Sequence, residues 1–182
     1  EKNNLAAEIS LILSNVPDAY GLQRGKKHGL ESVFLNPKNF SSRNDYEKKM
    51  IELLQTKSVD LVCLAGFMRI LGKKFIEAFS GKIINIHPSL LPAFPGLNVQ
   101  EKALEHGAKF SGCTVHFVNE EVDGGAIILQ AAVPILDEDD VQSLSSRILE
   151  QEHIIYPEAI RLIIEDKLEF SGRRVTQKTR GI

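Results

Sequence analysis

The segment 82–96 constrains the fold of this chain more than any other, because it joins a strand to a stretch that cannot continue it. Three of its first five residues are isoleucine, a β-branched type that favours a packed strand. Asn85 and His87 are two residues apart, so they point to the same side of an extended chain. Three prolines and a glycine follow within nine residues and rule out a regular element. We therefore predict a buried strand ending in an amide and an imidazole, where open α/β sheets collect ligands. A polar cap on a strand end is the alternative interpretation.

Apolar runs alternate with helical stretches on both sides of this segment. The order β-α-β-α-β-α-β predicts an α/β fold with a doubly wound, mostly parallel sheet. Two later runs are close enough to form an antiparallel hairpin towards the C-terminal part. A chain of 182 residues fits one domain. The predicted strands are 8–16, 32–35, 61–65, 83–87, 112–119 and 127–135. The predicted helices are one that begins near Pro17 and ends at Gly25 to Gly29, followed by 45–57, 73–79, 99–106 and 141–164.

Several residues predict where helices begin and end. Asn44 or Asp45 can cap the helix that runs to about Lys57. The acidic run 137–140 can cap the long helix that follows, because carboxylates near a helix N-terminus are stabilised by its dipole. Pro157 should kink or divide that helix. The polar and basic tail from residue 170 is expected to be a short strand or a loose end.

Composition narrows the class of protein. The chain is 43% hydrophobic and 25% charged, as is usual for a globular protein. A formal net charge of −2 gives no reason to expect nucleic-acid binding. No apolar run reaches the roughly 18 residues of a membrane span, and a signal peptide is not expected. Cys63 and Cys113 lie in apolar runs and are expected to be core residues in a reducing compartment. The expected location is cytoplasmic.

The residues that could carry chemistry are Asn85, His87 and Asp123. Histidine transfers protons near neutral pH, a nearby carboxylate would stabilise its imidazolium, and an amide can donate to an oxyanion. These groups suit attack on an activated acyl carbon. From the residues alone, an Asp-Gly-Gly turn is the preferred interpretation of Asp123, since this residue lies 36 positions after His87. His116 fits a core position or a supporting group. A metal is not expected, because a zinc site needs a tighter grouping of histidines and cysteines.

Longer motifs add a more specific signal. They are Ala-Gly-Phe-Met-Arg-Ile-Leu at 65–71, Asn-Ile-His-Pro-Ser-Leu-Leu-Pro at 85–92, Phe-Pro-Gly at 94–96, His-Phe-Val at 116–118 followed by Asp-Gly-Gly at 123–125, and Gln-Glu-His with Tyr-Pro at 151–157. In this order and spacing they resemble the phosphoribosylglycinamide formyltransferase family of purine synthesis. The resemblance extends over about residues 9–164 and implies a Rossmann-like formyltransferase fold.

The resemblance implies a reaction and a role for each residue. The family transfers a formyl group from 10-formyltetrahydrofolate to the amine of a phosphoribosylglycinamide, through a tetrahedral intermediate and without a metal. By the match of motifs, His87 is the general acid that stabilises and protonates this intermediate. Asn85 binds the oxyanion and the amine substrate. Asp123 keeps the histidine charged and helps to relay protons through water.

The resemblance also implies two sets of binding residues. Without it, Arg43 would be interpreted as a solvated loop arginine and Glu152 as a surface charge. The expected partners are small molecules, and a monomer and a homodimer are both left open. The implied folate-binding residues are Arg43, Met68, Arg69, Ile70, Leu71, Asn119, Glu120, Glu121, Val122 and Asp123; the implied substrate-binding residues are Asn85, Leu149, Glu150, Gln151 and Glu152.

The chain departs from the family pattern in three places. The first strand and phosphate-binding loop of the family are not found before Glu1, so the expectation is a single formyltransferase domain over 1–182 that lacks both. Ala93 replaces a common lysine. Asn98 and Gln100 stand where the family often has histidines.

Two further functions compete with formyl transfer. One is a formyltetrahydrofolate hydrolase, and the other is a catalytically silent domain that keeps a folate pocket. The Phe-Pro-Gly-Leu segment at 94–97 favours the purine enzyme over the hydrolase and over methionyl-tRNA formyltransferase. The presence of Asn85, His87 and Asp123 together argues against a silent domain.

Overall fold

The computed structural model describes residues 5–178; the opening Glu-Lys-Asn-Asn and the last four residues of the basic tail lie outside this range. Its strands are β1 (Ile12–Ser14), β2 (Ser32–Phe34), β3 (Val62–Leu64), β4 (Ile83–His87), β5 (Phe110–Phe117), β6 (Ile127–Pro134), β7 (Leu168–Ser171) and β8 (Arg174–Gln177). Its α-helices are α1 (Tyr20–Lys27), α2 (Arg43–Thr56), α3 (Lys73–Ala78), α4 (Val99–Glu105) and α5 (Val141–Ile164).

The strands form a parallel pair and a mixed sheet. β1 pairs with β2, and the six-stranded sheet has the order β3-β4-β5-β6-β8-β7. β3 and β4 are parallel, whereas β5 is antiparallel to both β4 and β6. The prediction of an α/β fold is confirmed, with parallel pairing in the amino-terminal part and the predicted antiparallel hairpin at β5–β6.

Two apolar clusters pack against the six-stranded sheet. One joins α5 to β4, β5 and β6, and it contains Leu144 and Ile148, which are almost completely buried. The other lies between α2, α3 and β3, around Tyr46 and Phe75. Burying each large apolar side chain contributes about 1.5–3 kcal/mol, so these clusters fix β4 between two packed layers. In residues 5–178, no helix combines the length and the apolar content that crossing a bilayer demands.

The predicted cap of α2 is wrong. Neither Asn44 nor Asp45 is the cap; Ser42 is, because its extended backbone lets the side-chain oxygen accept the backbone N–H of Asp45. The Asp45 carboxylate accepts the Ser42 hydroxyl in return. The helix ends at Thr56, so its predicted end at about Lys57 is confirmed.

The long helix α5 begins as predicted. Asp140 caps it through a reciprocal pair of hydrogen bonds with Ser143. Pro157 lies inside the helix without dividing it, and the kink, which is the other expected effect of this proline, stays a prediction. The carbonyl left without a partner belongs to His153, four residues earlier at an exposed position, where solvent can satisfy it. The tail from residue 170 completes the β7–β8 hairpin.

The two cysteines have different environments. Cys113 on β5 is completely buried, as predicted, but Cys63 on β3 is exposed, so its assignment to the core is wrong. Val62 faces the α2 cluster, and Cys63 must point to the opposite side because side chains alternate along a strand. β3 is also the edge strand of the six-stranded sheet, where that side is incompletely covered.

Candidate active site

The side chains of the candidate site are carried by the central strands. β4 is buried along most of its length and pairs with β3 on one side and β5 on the other. In the antiparallel register with β5, Asn85 stands opposite His116 and His87 opposite Thr114. A strand held on both edges and both faces gives these side chains fixed positions.

The proline-rich loop after β4 is fixed by buried hydroxyl groups. The Thr114 hydroxyl donates to the Ser89 carbonyl at 2.7 Å and accepts the Leu91 backbone N–H at 3.0 Å. Gln130 on β6 donates to the Leu91 carbonyl at 2.8 Å. The Ser89 hydroxyl lies 3.1 Å from the carbonyl of Phe94, whose φ of 50° is left-handed. The loop therefore presents the Phe94 carbonyl towards the end of β4.

His87 lies between this loop and Asp123. Its Nε2 is 3.0 Å from the Phe94 carbonyl oxygen, which can only accept, so Nε2 carries a hydrogen. Its Nδ1 is 3.5 Å from Oδ2 of Asp123, and the same oxygen accepts the Gly96 backbone N–H at 2.8 Å. With Nε2 protonated, a hydrogen on Nδ1 would make His87 an imidazolium facing a carboxylate. Both side chains are largely buried, which strengthens their interaction.

Asp123 meets His87 and lies in a turn at the same time. Its φ of 52° is left-handed, so its backbone forms the expected turn. Its side chain at the same time contacts His87. Gly125 must lack a side chain, because a Cβ there would stand 1.7 Å from the Phe117 carbonyl oxygen. On the outside, Arg173 in the β7–β8 turn donates to the Gly124 carbonyl. The turn is thus held from the strand side and from the hairpin.

His116 is a fourth member of the site. It is almost fully buried, and its Nδ1 donates to the Phe117 carbonyl at 2.8 Å. Burial lowers the pKa of His116; the hydrogen bond to Phe117 and the charge of Asp123 act in the opposite direction, and His87 adds to the lowering. The neutral ring must then accept at Nε2, which lies 3.3 Å from the Asn85 amide nitrogen and 3.7 Å from Asp123 Oδ1.

The neutral state of His116 fixes the orientation of Asn85. Because Nε2 can only accept, the amide nitrogen of Asn85 faces it, leaving one N–H and the carbonyl oxygen unused by this contact. For His116 the sequence predicts only a core position or a supporting group, not a place in the site. Its position opposite Asn85 depends on a strand register that a single sequence does not give.

The residues implied to bind folate form a second region. Arg43, the first residue of α2, donates from Nη2 to the Ile70 carbonyl at 2.5 Å, so it is not a free loop arginine. Met68 is 80% exposed and Ile70 is 64% exposed, whereas Leu71 is buried in the α2 cluster. In the segment 68–71, the backbone is therefore held by a hydrogen bond from α2, while the side chains of Met68 and Ile70 are exposed.

The facing loop, 119–123, lies across from this segment. Lys73 at the start of α3 is 3.8 Å from the Glu120 carboxylate. The Glu121 backbone N–H donates to the Asn119 side chain at 3.0 Å, and the apolar side chain of Val122 is exposed. Two loops with exposed apolar side chains thus border the buried polar cluster.

The residues implied to bind the phosphoribosyl substrate lie on α5. Leu149 and Glu150 are exposed, and Gln151 and Glu152 are half-buried. Burial raises the pKa of Glu152. One turn later, the Tyr156 hydroxyl donates to the Leu64 carbonyl at 2.7 Å and ties α5 to the end of β3. Among residues 5–178, no hydrogen bond or ion pair joins 149–152 to Asn85, His87 or Asp123.

The chemistry available at the end of β4 is acid–base chemistry beside an amide donor. An imidazole paired with a carboxylate can hold and move a proton, and an oriented amide can stabilise developing negative charge. This combination suits addition to a carbonyl group.

The comparisons with known proteins agree with this chemistry. The sequence model of the formyl transferase family matches residues 1–160. This chain belongs to the formyl transferase family. The formyl transferase of Haemophilus influenzae named phosphoribosylglycinamide formyltransferase is 49% identical over 166 residues, which are 91% of this chain and 78% of that protein. The crystal structure of glycinamide ribonucleotide transformylase 1 from Symbiobacterium toebii matches with a TM-score of 0.93 and 51% identity, covering 95% of this chain and 82% of that one.

A second relative is a protein much longer than this chain. The trifunctional purine biosynthetic protein adenosine-3 of Drosophila melanogaster is 51% identical over 158 residues, or 87% of this chain. This chain spans only 12% of that protein's length. The resemblance to phosphoribosylglycinamide formyltransferases is confirmed, since the shorter relative carries that name and the longer one is named for purine biosynthesis.

Proposed function

We propose that this chain transfers the formyl group of 10-formyltetrahydrofolate to the amine of 5-phosphoribosylglycinamide. One observation carries the proposal: His87 and Asp123 form a buried pair beside the oriented amide of Asn85, in a chain similar to enzymes named for this reaction. The proposed step uses no metal.

The reaction requires proton transfer in both directions. The amine nitrogen attacks the formyl carbon, and the electrons of the C=O double bond move to oxygen to give a tetrahedral intermediate. When the oxyanion collapses, the bond from carbon to N10 of the folate breaks and N10 takes a proton. The attacking amine loses a proton, so the overall step conserves charge.

Asn85 stabilises the oxyanion. One of its amide N–H groups is used by His116, and the other is left to donate to the developing O⁻. Its carbonyl oxygen can accept from the attacking amine and orient the nitrogen lone pair towards the formyl carbon. The separation of 3.3 Å to a neutral imidazole supports this orientation.

His87 and Asp123 handle the protons. The Phe94 carbonyl holds one nitrogen of His87 as a donor, and the carboxylate of Asp123 faces the other. His87 then acts as general acid towards the intermediate, and Asp123 maintains the charge and receives protons through water. The 3.5 Å between them leaves this contact free to tighten when the site is occupied.

The two regions beside the cluster bind the substrates. Arg43 and the loops 68–71 and 119–123 hold the folate, which their exposed apolar side chains suit. Residues 149–152 hold the ribose side of the acceptor. The half-buried Glu152 supports this role, because a partly desolvated carboxylate gains from hydroxyl donors.

The test uses the full-length protein with 10-formyltetrahydrofolate, with and without 5-phosphoribosylglycinamide, and follows loss of the donor by absorbance. We expect loss only when both are present, with formyl glycinamide product in equal amount. Equal loss without the acceptor would show a hydrolase. Folate binding with no loss in either mixture would show a silent binding domain.

A further inference from the structure

A buried carboxylate lies behind the proposed folate-binding region. Glu47, on the second turn of α2, is only 5% exposed. Its Oε1 accepts both the Nε–H of Arg43 at 2.8 Å and the backbone N–H of Gly72 at 2.9 Å. One oxygen therefore joins the start of α2 to the residue that precedes α3. Neither the chemistry at His87 nor the proposed acceptor site uses Glu47.

The backbone at Gly72 is shaped to receive this carboxylate. A Cβ at Gly72 would stand 2.5 Å from Oε2 of Glu47, which is closer than real contacts allow. Its φ of −80° is ordinary for any residue, so what a larger residue would meet here is the Glu47 carboxylate, which it would have to push aside. The second carboxylate oxygen thus packs directly against the main chain of the loop.

Two neighbours of Glu47 on α2 contact the same loop. Nη2 of Arg43 donates to the Ile70 carbonyl, and the Arg69 guanidinium lies 5.4 Å from the centre of the Tyr46 ring. We call Arg43, Tyr46 and Glu47 the α2 bracket. The bracket contacts positions 69, 70 and 72 from one side and leaves the side chains of Met68 and Ile70 exposed on the other.

A purely stabilising role explains the choice of residue poorly. Removing a carboxylate from water carries a desolvation cost, and an apolar side chain of similar size often stabilises a core as well or better. What a buried carboxylate supplies is direction, because its oxygens accept from specific donors. Here the donors are the backbone of the exposed loop and the arginine beside it.

We propose that Glu47 is a positioning residue for the formyl donor: it fixes the backbone of 68–72 and the guanidinium of Arg43 in the arrangement that binds the folate. This inference rests on the proposed function. It assigns Glu47 an effect on donor binding that is separate from acceptor binding and from the chemical step.

The test is Glu47→Gln. The glutamine oxygen can take the place of Oε1 and still accept from both Gly72 and Arg43, but the side chain no longer carries the charge that strengthens its contact with the guanidinium. We expect KM for 10-formyltetrahydrofolate to rise by about 3- to 10-fold, because the ionic part of the contact with Arg43 is lost while its hydrogen bonds can remain. KM for 5-phosphoribosylglycinamide and kcat should stay within about twofold. The control is Glu52→Gln, the same change at an exposed ion pair of the same helix, and it should leave all three constants unchanged.

Two more variants address the same contact from other sides. Gly72→Ala places a methyl group against the carboxylate without changing it, and should raise donor KM in the same way even if Glu47→Gln folds poorly. Arg43→Ala should also raise donor KM, and adding Glu47→Gln to it should bring little further increase. Independent roles would instead make the two effects multiply.

The inference is overturned if donor KM of both Glu47→Gln and Gly72→Ala stays within twofold of the natural protein, or if kcat falls while donor KM is unchanged. If the natural protein shows no formyl transfer, the proposed function fails, and calorimetric binding of 10-formyltetrahydrofolate still tests Glu47. Equal affinity in the natural protein and Glu47→Gln would then refute the positioning role.

Discussion

Asn85→Asp is the substitution that tests the proposed oxyanion site most directly. Aspartate keeps the shape of asparagine but replaces the amide nitrogen by an oxygen that cannot donate when ionised. That atom lies 3.3 Å from Nε2 of His116, which presents a lone pair. His116 could compensate only by taking a proton, and burial, which lowers its pKa, opposes this. The new charge would also face the same ring nitrogen as the carboxylate of Asp123, whose Oδ1 lies 3.7 Å from Nε2 of His116.

The expected loss has two parts. Removing one donor from an oxyanion site costs about 10²- to 10³-fold in kcat, or about 3–4 kcal/mol. A carboxylate about 4 Å from the developing oxyanion adds repulsion of about 4 kcal/mol at an effective dielectric constant of about 20. Together they correspond to a fall in kcat of about 10⁵- to 10⁶-fold. Asn85→Ala removes the donor without adding the charge, so it should lose about 10²- to 10³-fold.

The assay is single-turnover formyl transfer with both substrates saturating, from about pH 5 to 8. Asn85→Asp should be slower than Asn85→Ala at neutral pH and should recover as pH falls, because a protonated aspartate donates again. Circular dichroism and thermal unfolding confirm that both variants are folded. If Asn85→Asp is as fast as Asn85→Ala, or retains turnover within tenfold of the natural protein, Asn85 is not the oxyanion donor.

Three further predictions concern the pair, the buried histidine and the core. His87→Ala should lower turnover by about 10²-fold or more, because it removes the proposed acid; near-normal single-turnover rates would exclude that role. Because burial lowers the pKa of His116, its contribution to stability is complete above the unfolded value of about 6.5 and is lost as pH falls through the folded pKa. The free energy of unfolding, measured with urea, should therefore fall less between about pH 7.5 and 5.5 in His116→Asn than in the natural protein. An equal fall in both proteins would contradict this. Leu144→Ala should lower the free energy of unfolding by about 2–5 kcal/mol, since this side chain is fully buried; a loss under about 1 kcal/mol would show that α5 repacks.

Much of the fold follows from local sequence. The isoleucines before Asn85 predict β4, and Asp140 predicts the start of α5, because both signals act over a few residues. The cap of α2 was missed by two to three positions, since Ser42, Asn44 and Asp45 are all good capping residues and only the backbone decides among them.

The contacts within the site are harder to predict from the sequence than the strands that carry its residues. Asn85 and His87 are adjacent by strand periodicity, so their common side could be predicted. The contact of Asp123 with His87 spans 36 positions, and the contact of His116 with Asn85 needs the β4–β5 register. Glu47 had one local signal, its spacing of four from Arg43 on a helix, which also describes an ordinary surface ion pair.

The path of the chain after β5 explains why the Asp123 turn needs so many constraints. Because β5 is antiparallel to β4, it ends beside the beginning of β4, where the Val118 N–H donates to the Ile83 carbonyl at 2.9 Å. The chain must then double back to reach His87, four residues or about 13 Å further along β4. The left-handed Asp123 and the glycines that follow it allow that reversal. It follows that Asn85 and His116 are held by paired strands, whereas Asp123 is held by a loop. Local opening should therefore release the carboxylate first and leave the amide–imidazole pair in place.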